Sequence, residues 1–156
     1  MKTLKSKIIS YVIILISISV IAGIGSLFVN LGMDWYMTLD KPSQFVPNFL
    51  IPIVWTVIYV VFAAVLCFMV GNVNYNTKTI ILLTISGVLN VVWCLLFFAL
   101  NLTFWGVISI ILLLMSSYLV ILDLLKYNKV YIYFTIIYPM WVSIATTLNL
   151  SLWILN

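Results

Sequence analysis

Residues 79–122 read TIILLTISGVLNVVWCLLFFALNLTFWGVISIILLLMSSYLVIL, a stretch without one charged side chain. About 20 apolar residues cross the hydrocarbon core of a bilayer, so this stretch is two membrane helices, and Asn101-Leu102-Thr103 is the polar break where the chain reverses. Outward from it, the charged residues are Lys2, Lys5, Lys7, Asp34, Asp40, Lys41, Lys78, Asp123, Lys126 and Lys129, which leave three further uncharged runs at 8–33, 42–77 and 130–156. Each run holds one span. The expectation is an all-α membrane protein, a bundle of five transmembrane helices at about 8–31, 52–70, 79–100, 104–124 and 131–154, in a single transmembrane domain over 1–156. The composition agrees: 66% of residues are hydrophobic, 6% are charged and the mean hydropathy is +1.32, whereas roughly a quarter of a soluble domain is charged. Such a bundle leaves no room for a soluble catalytic domain.

The positive charge comes entirely from lysine and is scattered, without the clustered basic face of a nucleic-acid binder, so no nucleic-acid partner is expected. It reports orientation instead. With the N-terminus in the cytoplasm, Lys2, Lys5, Lys7, Lys78, Lys126 and Lys129 lie inside and only Lys41 outside, the bias that sets topology, so the C-terminus is expected outside. A signal peptide is the competing reading of the first residues, but the apolar stretch from Ile8 to Leu31 is longer than the 7–15 residues of a signal core. Lysine in place of arginine, with abundant Ile and Asn, suggests an AT-rich bacterial genome and hence a bacterial plasma membrane. Cys67 and Cys94 fall within helices without CxxC spacing or a histidine, so neither a disulfide nor a metal site is expected.

The first helix carries Ala22, Gly23, Gly25 and Ser26, small residues that allow close backbone approach in lipid. Gly87 on the third is a similar candidate contact. From Gly32 to Pro52 the chain reads as one long polar connection, since Pro42, Pro47 and Pro52 forbid a continuous helix there. The other connections are short, so consecutive helices are expected to be antiparallel neighbours. No internal repeat is evident, and an odd number of helices argues against repeat-built transporters.

Three helices carry one-sided stripes. Trp55, Tyr59 and Phe62 share a face of helix two; Ser86, Asn90, Trp93 and Phe97 share a face of helix three; Tyr138, Trp141, Ala145, Leu148 and Asn149 share a face of helix five. Ordinary packing with interhelical amide bonds explains each stripe singly. Together, with Asn90 at mid-helix where an unpaired amide is costly, they suggest an apolar cavity with a few hydrogen-bonding groups, the form of a small-molecule site. Indole and phenol faces favour a flat ligand. Trp105 and Trp153 read as interfacial belt residues, while Trp35 and Tyr36 fit either a belt or a lid.

The chain has no His, Glu or Arg, so it lacks an imidazole base and a zinc site, and its only haem-ligating side chains are Cys, Met and Tyr. No Asp lies at a helix centre to carry ions or protons. Ser86 and Thr84 have no base within reach.

Four motifs in order resemble a known family. They are WYMTLDKPS at 35–43, PIVWTVIY at 52–59, LNVVW at 89–93 and WVSIATTLN at 141–149, followed by Asn156. The chain resembles, over nearly its whole length, the TspO/MBR family of tryptophan-rich sensory proteins and mitochondrial translocator proteins, or peripheral benzodiazepine receptors. The resemblance implies a five-helix bundle, commonly a homodimer, whose pocket opens near the first loop. It implies porphyrin ligands (protoporphyrin IX or haem) without an obligatory cofactor, isoquinoline or benzodiazepine ligands, and in some members cholesterol. Carried onto matching positions, the ligand-binding residues are Tyr36, Pro42, Trp55, Tyr59, Asn90, Trp93, Trp141, Ala145 and Leu148. Trp55 and Trp141 would flank the macrocycle, and Asn90 and Tyr36 would supply hydrogen bonds.

The function implied is tetrapyrrole binding with a sensory or regulatory role. Two alternatives stand beside it: light- and oxygen-dependent porphyrin degradation with Trp55 and Trp141 as the catalytic residues, and transport of the ligand. The chain also departs from the family. Gln44, Val46 and Phe49 replace loop aromatics and a proline, Pro139 sits two positions from the usual place, and Leu150 and Ile154 stand where the animal sterol motif needs Tyr and a basic residue.

Overall fold

The computed structural model describes residues 4–43, 46–72 and 76–156, the side chains of residues 71 and 72 excepted; Lys2, Gln44 and most of the turn at 71–76 lie outside the described residues. The elements are α1 (Leu4–Thr38), α2 (Leu50–Asn72), α3 (Thr77–Cys94) with a π-helical continuation at Leu95–Ala99, α4 (Thr103–Leu124), α5 (Val130–Thr135) and α6 (Ile137–Leu155). With α5 and α6 taken together, five segments are long and apolar enough to cross a membrane.

Two boundaries differ from the sequence reading. The polar connection begins at Leu39 and not at Gly32, because α1 continues for two turns through Asp34, Trp35 and Tyr36. Nothing before Pro42 forbids helix, and Gly32 does not end it. Its missing Cβ seats α1 on the π turn, where a Cβ would overlap the backbone carbonyl of Phe98. The last span is broken at Ile136. Pro139 has no N–H for the carbonyl four residues back, and its ring crowds that carbonyl, which belongs to Thr135, the final residue of α5. Pro52, by contrast, falls in the first turn of α2, where its missing donor has no helical partner to lose.

The helices close a ring in the order α1, α2, α5/α6, α4, α3. Three consecutive pairs are neighbours as expected, but α2 and α3 are not: α1 lies between them around the ring, and they meet through long side chains across the interior. Buried serines cost little because they return hydrogen bonds to their own helix, Ser109 to the Gly106 carbonyl (2.9 Å) and Ser116 to that of Leu113 (2.8 Å). Gly106 lets Phe97 lie against α4, where a Cβ would come within 2.8 Å of its ring. Gly87 meets Ile21 of α1 inside the bundle, and Gly25 faces Cys94, Asn90 and Tyr59.

At one end of the bundle, Asn76 caps α3 by accepting from the Thr79 N–H at 2.9 Å. The Thr79 hydroxyl donates to the Asp123 carboxylate, Lys126 pairs with Asp123 at 2.8 Å, and the Tyr127 hydroxyl joins Thr79 at 2.8 Å. This cluster fastens the start of α3 to the end of α4. Lys5, Lys7, Lys78, Lys126 and Lys129 belong to this end, and Lys41 to the other. At that other end Trp105 and Trp153 are exposed, with Phe104 between them.

Candidate ligand site

The π turn organises the site. The π-helical stretch Leu95–Ala99, marked by the Leu100 N–H donating to the Leu95 carbonyl at 2.9 Å, carries the adjacent buried rings of Phe97 and Phe98. Their rings meet edge to face at 4.9 Å and receive Tyr36 of α1, at 5.6 Å from Phe98 and 6.4 Å from Phe97. Trp93 stacks on Phe97 at 6.4 Å and lies 5.9 Å from Trp55 of α2.

From α6 come Trp141, Ala145 and Leu148. Asn149 orients this wall: its Oδ1 accepts from the Trp93 indole at 3.1 Å while its Nδ2 donates to the Ala145 carbonyl at 2.9 Å. Among the described residues the buried Trp141 indole nitrogen has no partner, which is costly for a donor removed from water.

Six of the residues expected from the sequence, Tyr36, Trp55, Trp93, Trp141, Ala145 and Leu148, line one pocket, capped by Val46 and Ile51. It is nearly shut, at about 20 Å³. Tyr59 and Asn90 do not line it. They pair with each other at 2.8 Å and face a second cavity of about 450 Å³ bounded chiefly by α1, α2 and α3. A third space of about 440 Å³ lies between α1 and α2. Trp55 borders all three, and among the described residues no charged side chain lines any of them. Pro42 is half-buried in the connecting segment and lines none of the three; beside it the Lys41 ammonium lies 5.1 Å from the centre of the Tyr36 ring.

Phe98, Ile51 and Ile144, which the sequence reading does not single out, complete the closed pocket together with Val46, noted there only as a departure from the family. Phe98 falls at the edge of the inward stripe on an α-helical wheel, one turn beyond the buried Cys94, and lies in the π turn. The wide cavity beside α1 did leave a trace: Ser10, Ile14, Ser17 and Ile21 recur along one face of that helix. Chemically, the closed pocket offers aromatic surface and indole donors, with no acid or base.

A sequence model of the TspO/MBR family matches residues 12–154. The chain is 31% identical over 136 residues to the tryptophan-rich protein TspO of Chlorobaculum tepidum, covering 85% of this chain and 86% of that one. It is 30% identical over 135 residues to the protein of the same name from Archaeoglobus fulgidus, covering 85% and 87%. To protein CrtK of Rhodobacter capsulatus it is 28% identical over 125 residues, 78% of each chain. A multi-pass membrane bundle with this match over most of its length belongs to the TspO/MBR family.

Proposed function

We propose that this protein binds a tetrapyrrole, protoporphyrin IX or haem, in the pocket of Tyr36, Trp55, Trp93, Trp141, Ala145 and Leu148, with a sensory or regulatory role. The observation that carries the reading is the convergence of three indoles from α2, α3 and α6 on one uncharged space. Flat aromatic ligands stack on such faces, each stack contributing about 0.5–1.5 kcal/mol beyond area burial. The Trp141 N–H, buried without an acceptor, would gain one from the ligand. At 20 Å³ the pocket is in a closed state, so the macrocycle enters when the 46–49 segment, which contributes Val46, moves aside and Trp55 turns toward one of the neighbouring cavities. Segment motions of this kind commonly gate ligand sites.

Titration of protoporphyrin IX into the protein in nanodiscs, followed by its Soret band, tests this reading. A saturable shift is expected, weakened at least ten-fold in the Trp55→Leu, Trp141→Leu double variant. A shift no different from that in empty nanodiscs contradicts it.

A second reading is supported by Trp55 and Trp141 bordering the same space: photo-oxidative porphyrin breakdown, in which the excited macrocycle oxidises an adjacent indole and dioxygen is the terminal oxidant. No acid or base is required. Illumination in air should then bleach the porphyrin bands faster than in Trp55→Phe, Trp141→Phe, and equal rates remove this reading. The reading extends to a homodimer in a bacterial plasma membrane with the N-terminus cytoplasmic; the lysines gathered at the Asp123 end support that orientation.

A further inference from the structure

The cavity of about 450 Å³ bounded by α1, α2 and α3 is graded along its length. At the end near Ser10 it is walled by aliphatic groups such as Leu66 and Ile80. At the deep end the lining turns to Trp55, Tyr59 and Asn90. Along α1 it extends from Ser10 to Ile21, about 16 Å at 1.5 Å per residue. Asn90 is 2% exposed; its Oδ1 accepts from Tyr59, and its Nδ2 is buried with no partner. An unmade bond of this kind costs about 1–3 kcal/mol.

We propose that this cavity, which shares Trp55 with the closed pocket, is a second binding site, for an uncharged lipophile with a flat carbonyl-bearing head and an apolar tail, the chemistry of a membrane quinone. The head lies against Trp55 and Tyr59 with a carbonyl accepting from Asn90 Nδ2, and the tail runs between α1 and α3 toward Ser10 and the lipid. A phospholipid has the opposite polarity, with its polar group at the membrane surface and its apolar end inside.

The test uses the full chain in phosphatidylcholine nanodiscs and decylubiquinone as probe, read by quenching of tryptophan emission after subtraction of quenching in an inert membrane protein. Saturable quenching is expected, with affinity about ten-fold lower in Asn90→Leu, the equivalent of one hydrogen bond. It should be lost in Leu83→Phe, which narrows the cavity, and in Ser17→Trp at its rim, a second variant in case the first misfolds. Decylbenzene, with the same tail and no carbonyl, should compete at least ten-fold more weakly. Linear quenching alike in all variants, or equal competition by decylbenzene, overturns the proposal. Protoporphyrin IX titrated into Leu83→Phe and Ser17→Trp separates the two sites: retained porphyrin binding with lost quinone binding is the expected pattern. Quinone binding without porphyrin binding in the wild type defeats the reading of the closed pocket alone.

Discussion

Asn156 and Asp40 lie 116 positions apart and exchange two hydrogen bonds: the Asp40 N–H donates to Asn156 Oδ1 at 2.9 Å, and Asn156 Nδ2 donates to the Asp40 carbonyl at 3.1 Å. A side-chain amide thus reads both polar groups of one peptide residue and ties Asp40, just beyond α1, to the end of α6. Val46, which caps the aromatic pocket, follows Asp40 by six residues.

Loosening this tie should speed access. Exposed hydrogen bonds contribute at the low end of about 0.5–1.5 kcal/mol each, so Asn156→Ala is expected to raise the association rate of protoporphyrin IX roughly five-fold, by raising the population of the open segment. Stopped-flow absorbance in the Soret band measures it. An unchanged rate would mean that the segment does not gate the pocket.

Gly32 tests the seating of α1. Because a Cβ there would overlap the Phe98 carbonyl, and a backbone atom cannot rotate aside, Gly32→Ala should destabilise the bundle by about 2–3 kcal/mol, toward the upper end of overpacking costs. Gly23, with nothing within 4 Å of the corresponding position, is the control and should accept Ala without loss. Unfolding in mixed micelles with increasing SDS, followed by circular dichroism, distinguishes the two.

The Trp93–Asn149 bond across the interior should show coupling in a double-mutant cycle. Interhelical bonds in membranes average about 0.6 kcal/mol and reach about 1.7. This one is buried at both partners, so the cycle of Trp93→Phe and Asn149→Leu is expected to give about 1 kcal/mol. Strict additivity of the two unfolding energies would remove Asn149 as the residue that orients Trp93.

Asn101 holds φ at 56° between the π turn and α4. Left-handed backbone costs most residues about 1–2 kcal/mol and glycine almost nothing. Asn101→Val should therefore lose about that amount in the same unfolding assay, while Asn101→Gly stays within a few tenths.

The five spans were legible because charge marks their ends; even the reversal at Asn101-Leu102-Thr103 stands where the polar break put it. The extension of α1 was not, since Asp34, Trp35 and Tyr36 look polar in sequence and only the contact of Gly32 with the π turn shows that the helix continues. Periodicity found the inward faces of α2, α3 and α6, and most of the residues carried over from the family resemblance meet in one pocket. It could not separate Tyr59 and Asn90 from Trp55 and Trp93: one helical turn along the same stripe, they border a different cavity. Nor does any residue pattern announce the π turn, against which α1 and α4 present Gly32 and Gly106.

The central claim is that the closed aromatic pocket opens to hold a macrocycle. Determining the structure with protoporphyrin IX bound tests it most directly. The account predicts the macrocycle between Trp55, Trp93 and Trp141, with the 46–49 segment displaced and Asn156 released from Asp40. A macrocycle seated in the cavity beside α1, or on the outer face of the bundle with the pocket still near 20 Å³, would contradict it.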